Sequence, residues 1–263
     1  MGEAASQRVV MLGAGRVATH LAPALLHAGY KLLQVWSRTE DSAKKLSDSL
    51  GIPYTNDLDA VVADADIYIA CVSDSALSEV AERIVARAKI NSLFLHTAGS
   101  VGIELWQRCG ALRYGILYPL QTFSKERAID FHEVSLFVEA SDEATMTAIE
   151  RVAHGLSNKV YHADSRRRAR LHIAAVFACN FTNAMYDAAS RLLAEDDISF
   201  EVLLPLIDET AAKVHALAPH NAQTGPAVRG DSTVLQGHMA ALASKEDLHA
   251  MYALISNYIN KNR

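Results

Sequence analysis

The chain has 263 residues, half of them hydrophobic and about a fifth charged, with a formal net charge of −5. That length supports one large domain or two modest ones. The acidic balance gives nucleic-acid binding no electrostatic footing, and no apolar run approaches the roughly 18–20 residues of a membrane helix.

The N-terminus, "MGEAASQRVV", is too short and polar for a signal peptide, although Met-Gly followed by Ser6 echoes a myristoylation signal. "RVVMLG" (8–13) is an unbroken apolar run, the pattern of a strand covered on both faces. A loop Gly13-Ala14-Gly15-Arg16-Val17 follows, then the helical pattern "VATHLAPALLHAG", closing at Gly29. "KLLQVW" (31–36) predicts a second strand, and "TEDSAKKLSDSLG" a helix with Thr39 as N-cap and Gly51 beyond its end. Further strands are expected at 66–72, 92–96, 112–118, 134–140 and 159–163, with helices at "SALSEVAERIVARA" and "DEATMTAIERVAHG". Strands alternating with helices of this length predict an α/β domain built on a doubly wound parallel sheet. Three widely spaced cysteines, Cys71, Cys109 and Cys179, form neither a CxxC pattern nor a disulfide framework. They predict reduced thiols in a cytoplasmic protein, and no metal site.

The GxGxxA loop carries the first chemistry. Gly13 permits a tight turn, Gly15 lets backbone approach a pyrophosphate, and Ala18 lets the helix pack close to the strand. An NAD site would place Asp or Glu at the end of the second strand, to hold the ribose 2′-hydroxyl. Here Ser37-Arg38-Thr39 stands instead. A hydroxyl and a guanidinium suit the 2′-phosphate of NADP, which a carboxylate would repel. Glu40 and Asp41 keep NAD as an alternative, but they sit where a helix dipole favours acids. Val72 and Ser73, after the strand "IACV", are expected beside the cofactor, with Asp74 as a helix cap. "HTAGS" (96–100) ends another strand, so Thr97 and Ser100 are candidates to meet the nicotinamide or the substrate, as is Tyr118 of "YPLQTF".

The character changes near residues 158–164, predicting an N-terminal domain over 1–160 and a helical domain over 161–263. Asp164 to Glu195 contains no Gly or Pro and reads as one long helix, capped by Asp164 or Ser165. Its middle, Ile173 to Cys179, is apolar on every side and is expected to form a buried axis. A helix so apolar predicts a homodimer through the C-terminal helices, because a second chain could cover what the remaining residues cannot. The run Arg166-Arg167-Arg168-x-Arg170 is expected as a solvated face. His172 and Asn180 are the polar candidates on the apolar stretch. In the turn "TGPAVRGDSTV", Arg229 and Asp231 are candidates for binding substrate, with capping of the next helix as the plainer role for Asp231.

Together, GAGRVA, SRT, HTAGS, YPLQTF, LHIAAVFACNFTN and TGPAVRGDSTV resemble a family of Rossmann-like NADP oxidoreductases whose C-terminal half is a helical domain of unknown function. That family is related to 6-phosphogluconate dehydrogenase, ketopantoate reductase and pyrroline-5-carboxylate reductase, and the resemblance covers nearly the whole chain. It implies an all-α C-terminal domain like that of 6-phosphogluconate dehydrogenase, a dimer through that domain, and a site using NADP. The residues themselves suggest His172 as proton donor or electrophile, Asn180 as orienter and Arg229 as carboxylate anchor. Two departures stand out. The 3-hydroxyacid dehydrogenases carry Lys four residues before their catalytic Asn, where this chain has Val176. Members of the resembled family often have His before the Pro of YPLQTF, where Tyr118 stands; a phenol is the weaker acid and more suited to orienting than to shuttling protons. The implied reaction is reduction of a C=N or C=O bond in a small polar metabolite. The alternatives are an NADP-binding redox sensor without turnover and a dimeric scaffold.

Overall fold

A computed structural model describes residues 7–262; the Met-Gly…Ser6 reading lies outside them. Eight strands form one sheet in the order β3-β2-β1-β4-β5-β6-β7-β8. They are β1 Arg8–Leu12, β2 Lys31–Trp36, β3 Tyr54–Thr55, β4 Ile67–Ala70, β5 Leu93–His96, β6 Arg113–Leu120, β7 Ser135–Ala140 and β8 Val160–His162. β3 was not expected: it has only two residues, follows Pro53 and shows no apolar run. The strands from β3 to β6 run parallel.

β7 corrects the expectation of an all-parallel sheet, because it pairs antiparallel with β6, while β8 returns parallel to β7. A parallel return requires a crossover, usually a helix. The link from β6 to β7 holds only the single turn Phe131–Glu133, so the chain comes straight back.

Alternate residues of β1 enter two cores: Val9 and Met11 on one side, Val10 and Leu12 on the other. The first core is covered by α1 Arg16–His27, α2 Glu40–Leu50 and α5 Glu143–Leu156, the second by α3 Asp74–Val85 and α4 Glu104–Arg108. Covering both faces is what allows such continuous apolar strands. The order reverses direction between β1 and β4, so the loops after these two strands, at their carboxyl ends, flank the usual ligand crevice of a doubly wound sheet.

The helical stretch predicted from Asp164 is present with one change of pitch. α6 Ser165–Ala175 leads into a π-helical segment, Val176–Phe181, and then α7 Thr182–Ala194. The Asp164 carboxylate caps α6 by accepting from the Arg167 N–H at 2.7 Å. The chain divides into two compact units, one ending at Cys179 and the other beginning at Asn180. This division lies further along than the change of composition at 158–164.

The second unit contains α7, α8 Leu204–Ala216, α9 Pro219–Ala222, α10 Pro226–Arg229, α11 Ser232–Ala241 and α12 Glu246–Lys261. Among its described residues, only Ala227 and Leu242 are buried. The expectation of a buried apolar axis is overturned within the single chain: Ile173 and Phe177 are 58% and 65% exposed.

Candidate functional site

The first part of the site is the turn after β1. Gly13 has φ +117°, and a Cβ there would strike the backbone carbonyl of Cys71, so only glycine allows β1 and β4 to lie this close. Its N–H donates to the Trp36 carbonyl at 2.7 Å, while the Cys71 N–H donates to the Leu12 carbonyl at 2.7 Å. Gly15, the N-cap of α1, has only the Cys71 carbonyl near its Cβ direction, at 3.9 Å, and no side chain caps the helix. Exposed backbone with uncapped N–H groups suits the oxygens of a pyrophosphate. Arg16 is exposed and Val17 half-buried, while Ala14 and Ala18 are buried against the sheet.

At the end of β2, Ser37 and Arg38 line a cavity of about 440 Å³ together with Val72 and Ser73 from the loop after β4. Two carboxylates, Asp57 and Glu79, line it too, as does Arg83, which pairs with Asp59 at 2.8 Å. Thr39 is the N-cap of α2, as expected, but its side chain makes no capping bond. A hydroxyl and a guanidinium on one wall, beside the glycine turn, fit a phosphorylated ribose. Cys71, in the adjoining turn, is buried, and desolvation pushes its thiol up to about 12, so it is no nucleophile at neutral pH.

The second part gathers at the carboxyl ends of β5 and β6. Tyr118 is buried on β6, and its phenol oxygen lies 3.2 Å from Nδ1 of His172 on α6. The rings meet edge-on with centroids 6.3 Å apart. The loop after β5 presses on both: a Cβ at Gly99 would stand 2.9 Å from Tyr118 Cζ and 2.9 Å from His172 Nδ1. Burial raises the Tyr118 pKa above its ordinary value, so the phenol keeps its proton; which partner donates in the bond to Nδ1 depends on the imidazole tautomer. In the tautomer in which Nδ1 accepts, Nε2 carries the proton and can donate it elsewhere.

The hydroxyls of Thr97 and Ser100 are already engaged within the protein. Thr97 Oγ1 donates to the Ala70 carbonyl at 3.4 Å, and Ser100 Oγ donates closely to Asp74. The latter bond corrects the reading of Asp74 as a helix cap: it is the first residue of α3, after the N-cap Ser73, and ties that loop to the Gly99 loop. His96 is fully buried and accepts from the Ala98 N–H at 3.2 Å. Burial, followed by the nearby Arg168 charge, pushes its pKa down to about 3, so it stays neutral.

Arg168 overturns the expectation of a solvated arginine face. Arg166, Arg167 and Arg170 are exposed, but the Arg168 side chain is 1% exposed and pairs with Glu139 of β7. Its position one turn before His172 was the available sequence signal, masked by the run of like residues. In the second unit, the Asp231 carboxylate caps α11 by accepting from the Val234 N–H at 3.2 Å, which is the plainer of its two expected roles. Arg229 is exposed at the end of α10, and Asn180 is exposed in the π segment. Among the described residues, no group of three His, Cys, Asp or Glu could hold a metal ion. No helix among them is long and apolar enough to cross a membrane.

Fold and glycine turn define the class: a dinucleotide-binding protein of the Rossmann type with a helical C-terminal part. Comparison with known proteins narrows it. Residues 8–97 match the family model for NADP oxidoreductase, coenzyme F420-dependent, and residues 134–259 match a domain of unknown function, DUF2520. A solved Bacteroides fragilis structure, provisionally named an NADP oxidoreductase, is 44% identical with a TM-score of 0.94, covering 98% of this chain and 100% of that one. A reductive aminase from Aspergillus terreus, solved with NADPH and ethyl levulinate, shares the fold at 20% identity and a TM-score of 0.70, covering 98% and 95% of the two chains. Glycerol-3-phosphate dehydrogenase [NAD(P)+] of Teredinibacter turnerae is 28% identical over 179 residues, 59% of this chain. The chain spans about half the length, 51%, of that curated relative. The chain belongs to the family of NADP oxidoreductases that pair this Rossmann-like domain with the DUF2520 domain.

Proposed function

We propose that the chain is an NADPH-dependent reductase of a C=N or C=O bond in a small polar metabolite bearing a carboxylate. The observation that carries this reading is the Tyr118–His172 pair, held against the Gly99 loop at the carboxyl ends of the strands. NADPH, when bound, supplies the hydride. The turn from Gly13 to Val17 holds its pyrophosphate, and Ser37, Arg38 and Thr39 hold the 2′-phosphate. Val72 and Ser73 form the facing wall.

His172 donates the proton from Nε2, or polarises the reacting bond, and Tyr118 keeps its ring in the required tautomer and orientation. Thr97 and Ser100 act through the shape of their loop. From the sequence pattern, Asn180 orients the substrate and Arg229 anchors its carboxylate, so Arg229→Ala should raise KM more than it lowers kcat. We also propose a cytoplasmic homodimer, in which a second chain covers the exposed apolar side chains of the helices.

Purified protein assayed for NADPH oxidation with cyclic imines and small 2-oxo acids tests the reading. Oxidation that depends on substrate and falls in His172→Asn supports it. Tight NADPH binding with no oxidation across the panel overturns it in favour of a redox sensor.

A further inference from the structure

We propose that Arg168 is a positioning residue: with Glu139, its buried guanidinium sets the placement of His172 against Tyr118 and Gly99. The inference rests on the proposed role of that pair. Arg168 Nη1 donates to Glu139 at close range, and Nη2 donates to the Val101 carbonyl and, at 3.2 Å, to Ser165 Oγ. Glu139 also accepts from the Ser165 N–H at 3.0 Å and its hydroxyl at 2.8 Å. Both carboxylate oxygens and both terminal nitrogens of the guanidinium are therefore engaged.

A buried ion pair is weak evidence of stability, since apolar packing often serves as well; what it supplies is direction. Here its partners are the elements that carry the pair. Val101 lies two residues beyond Gly99. Glu139 is two residues from Phe137, which stands opposite Tyr118 in the β6–β7 register. Arg168 itself lies four residues before His172 on α6, so the two share a helix face. Gly99 leaves no slack, because even a methyl group there would meet both rings at 2.9 Å. A small rotation of α6 must therefore either open the Tyr118–His172 contact or drive the imidazole into the loop.

The test compares Arg168→Met, Arg168→Lys and Glu139→Gln by thermal midpoint, NADPH affinity, kcat and KM. The imidazole signals of His172 are followed in ¹⁵N-histidine-labelled protein and assigned with His172→Asn. Positioning predicts that Arg168→Met and Glu139→Gln keep NADPH affinity within about twofold while kcat drops about tenfold to a hundredfold. KM should change little, the His172 signals should move, and Arg168→Lys should restore part of both. Folded variants with wild-type kcat per molecule and unchanged His172 signals would overturn the proposal. Should Arg168→Met fail to fold, Glu139→Gln removes one charge at constant shape and decides the matter. If the wild type turns over none of the panel, the reductase reading fails separately, and the movement or constancy of the His172 signals still judges this one.

Discussion

The Tyr118 phenol meets the His172 imidazole at 3.2 Å across an edge-on contact, although the two residues are separated by 54 positions in the chain. Burial holds the phenol in its protonated form, and where that phenol donates, Nδ1 accepts and Nε2–H is left as donor. His172→Asn should cut turnover by roughly 10²–10⁴-fold, with NADPH affinity nearly unchanged. Tyr118→Phe should cost less, about tenfold, because the imidazole survives and only its orientation is freed. Normal turnover per folded His172→Asn molecule, measured beside its thermal midpoint, would defeat the assignment and leave His172 as a packing residue.

Gly99 offers a test by steric insertion. Gly99→Ala places a methyl group 2.9 Å from both rings, so one of them must move. Overpacking of this kind costs about 1–3 kcal/mol, small enough to leave the eight-stranded domain folded. Turnover should fall further than stability does. A crystal structure of the variant with both rings in place and full activity would contradict the crowding seen here.

Cofactor choice should follow Arg38. NADPH is expected to bind more tightly than NADH by about 1–3 kcal/mol, the range of a charge-assisted contact. Arg38→Ala should remove most of that difference and leave NADH binding nearly as it was. The carboxylates of Asp57 and Glu79 in the same cavity make this a real test: if they dominate the local field, titration by fluorescence will show equal affinities.

Acid stability should report on His96. Its folded pKa of about 3 lies below the ordinary histidine value near 6.5. The unfolded chain therefore takes up a proton as pH falls through 6.5, while the folded chain does not until about pH 3. The stability that His96 contributes is fully present above about pH 6.5 and is lost progressively toward pH 3, at a slope of at most about 1.4 kcal/mol per pH unit. Urea unfolding of His96→Gln across pH 7 to 4 should show a shallower loss than the wild type. Identical slopes would mean that His96 titrates normally in the folded state.

Assembly can be read from exposure. Leu206 and Leu254 are 63% and 72% exposed, and Phe177 is 65% exposed. Large apolar side chains this exposed favour a partner, and a symmetric dimer is the simplest way to cover them. Light scattering at micromolar concentration should report twice the chain mass. A monomer would refute the dimer and leave those side chains facing water.

Local chemistry was legible in the amino-acid sequence because it depends on near neighbours. The apolar run before Gly13 and the spacing Gly13-x-Gly15-x-x-Ala18 determine a βαβ unit with a dinucleotide-binding turn within about 30 residues, and the proposed preference for NADP rests on Ser37 and Arg38, equally close in sequence. Asp164 as helix cap and Gly51 beyond the end of a helix follow equally from local backbone needs. Contacts between distant segments were not legible, since periodicity carries no information about which faces meet. Only the tertiary structure turned β7 back antiparallel beside β6. It alone drew Arg168 out of a basic run to pair with Glu139, which lies 29 positions earlier, and set Tyr118 beside His172. Burial decided these outcomes: a charge or phenol removed from water must find its partner wherever the packed chain supplies one.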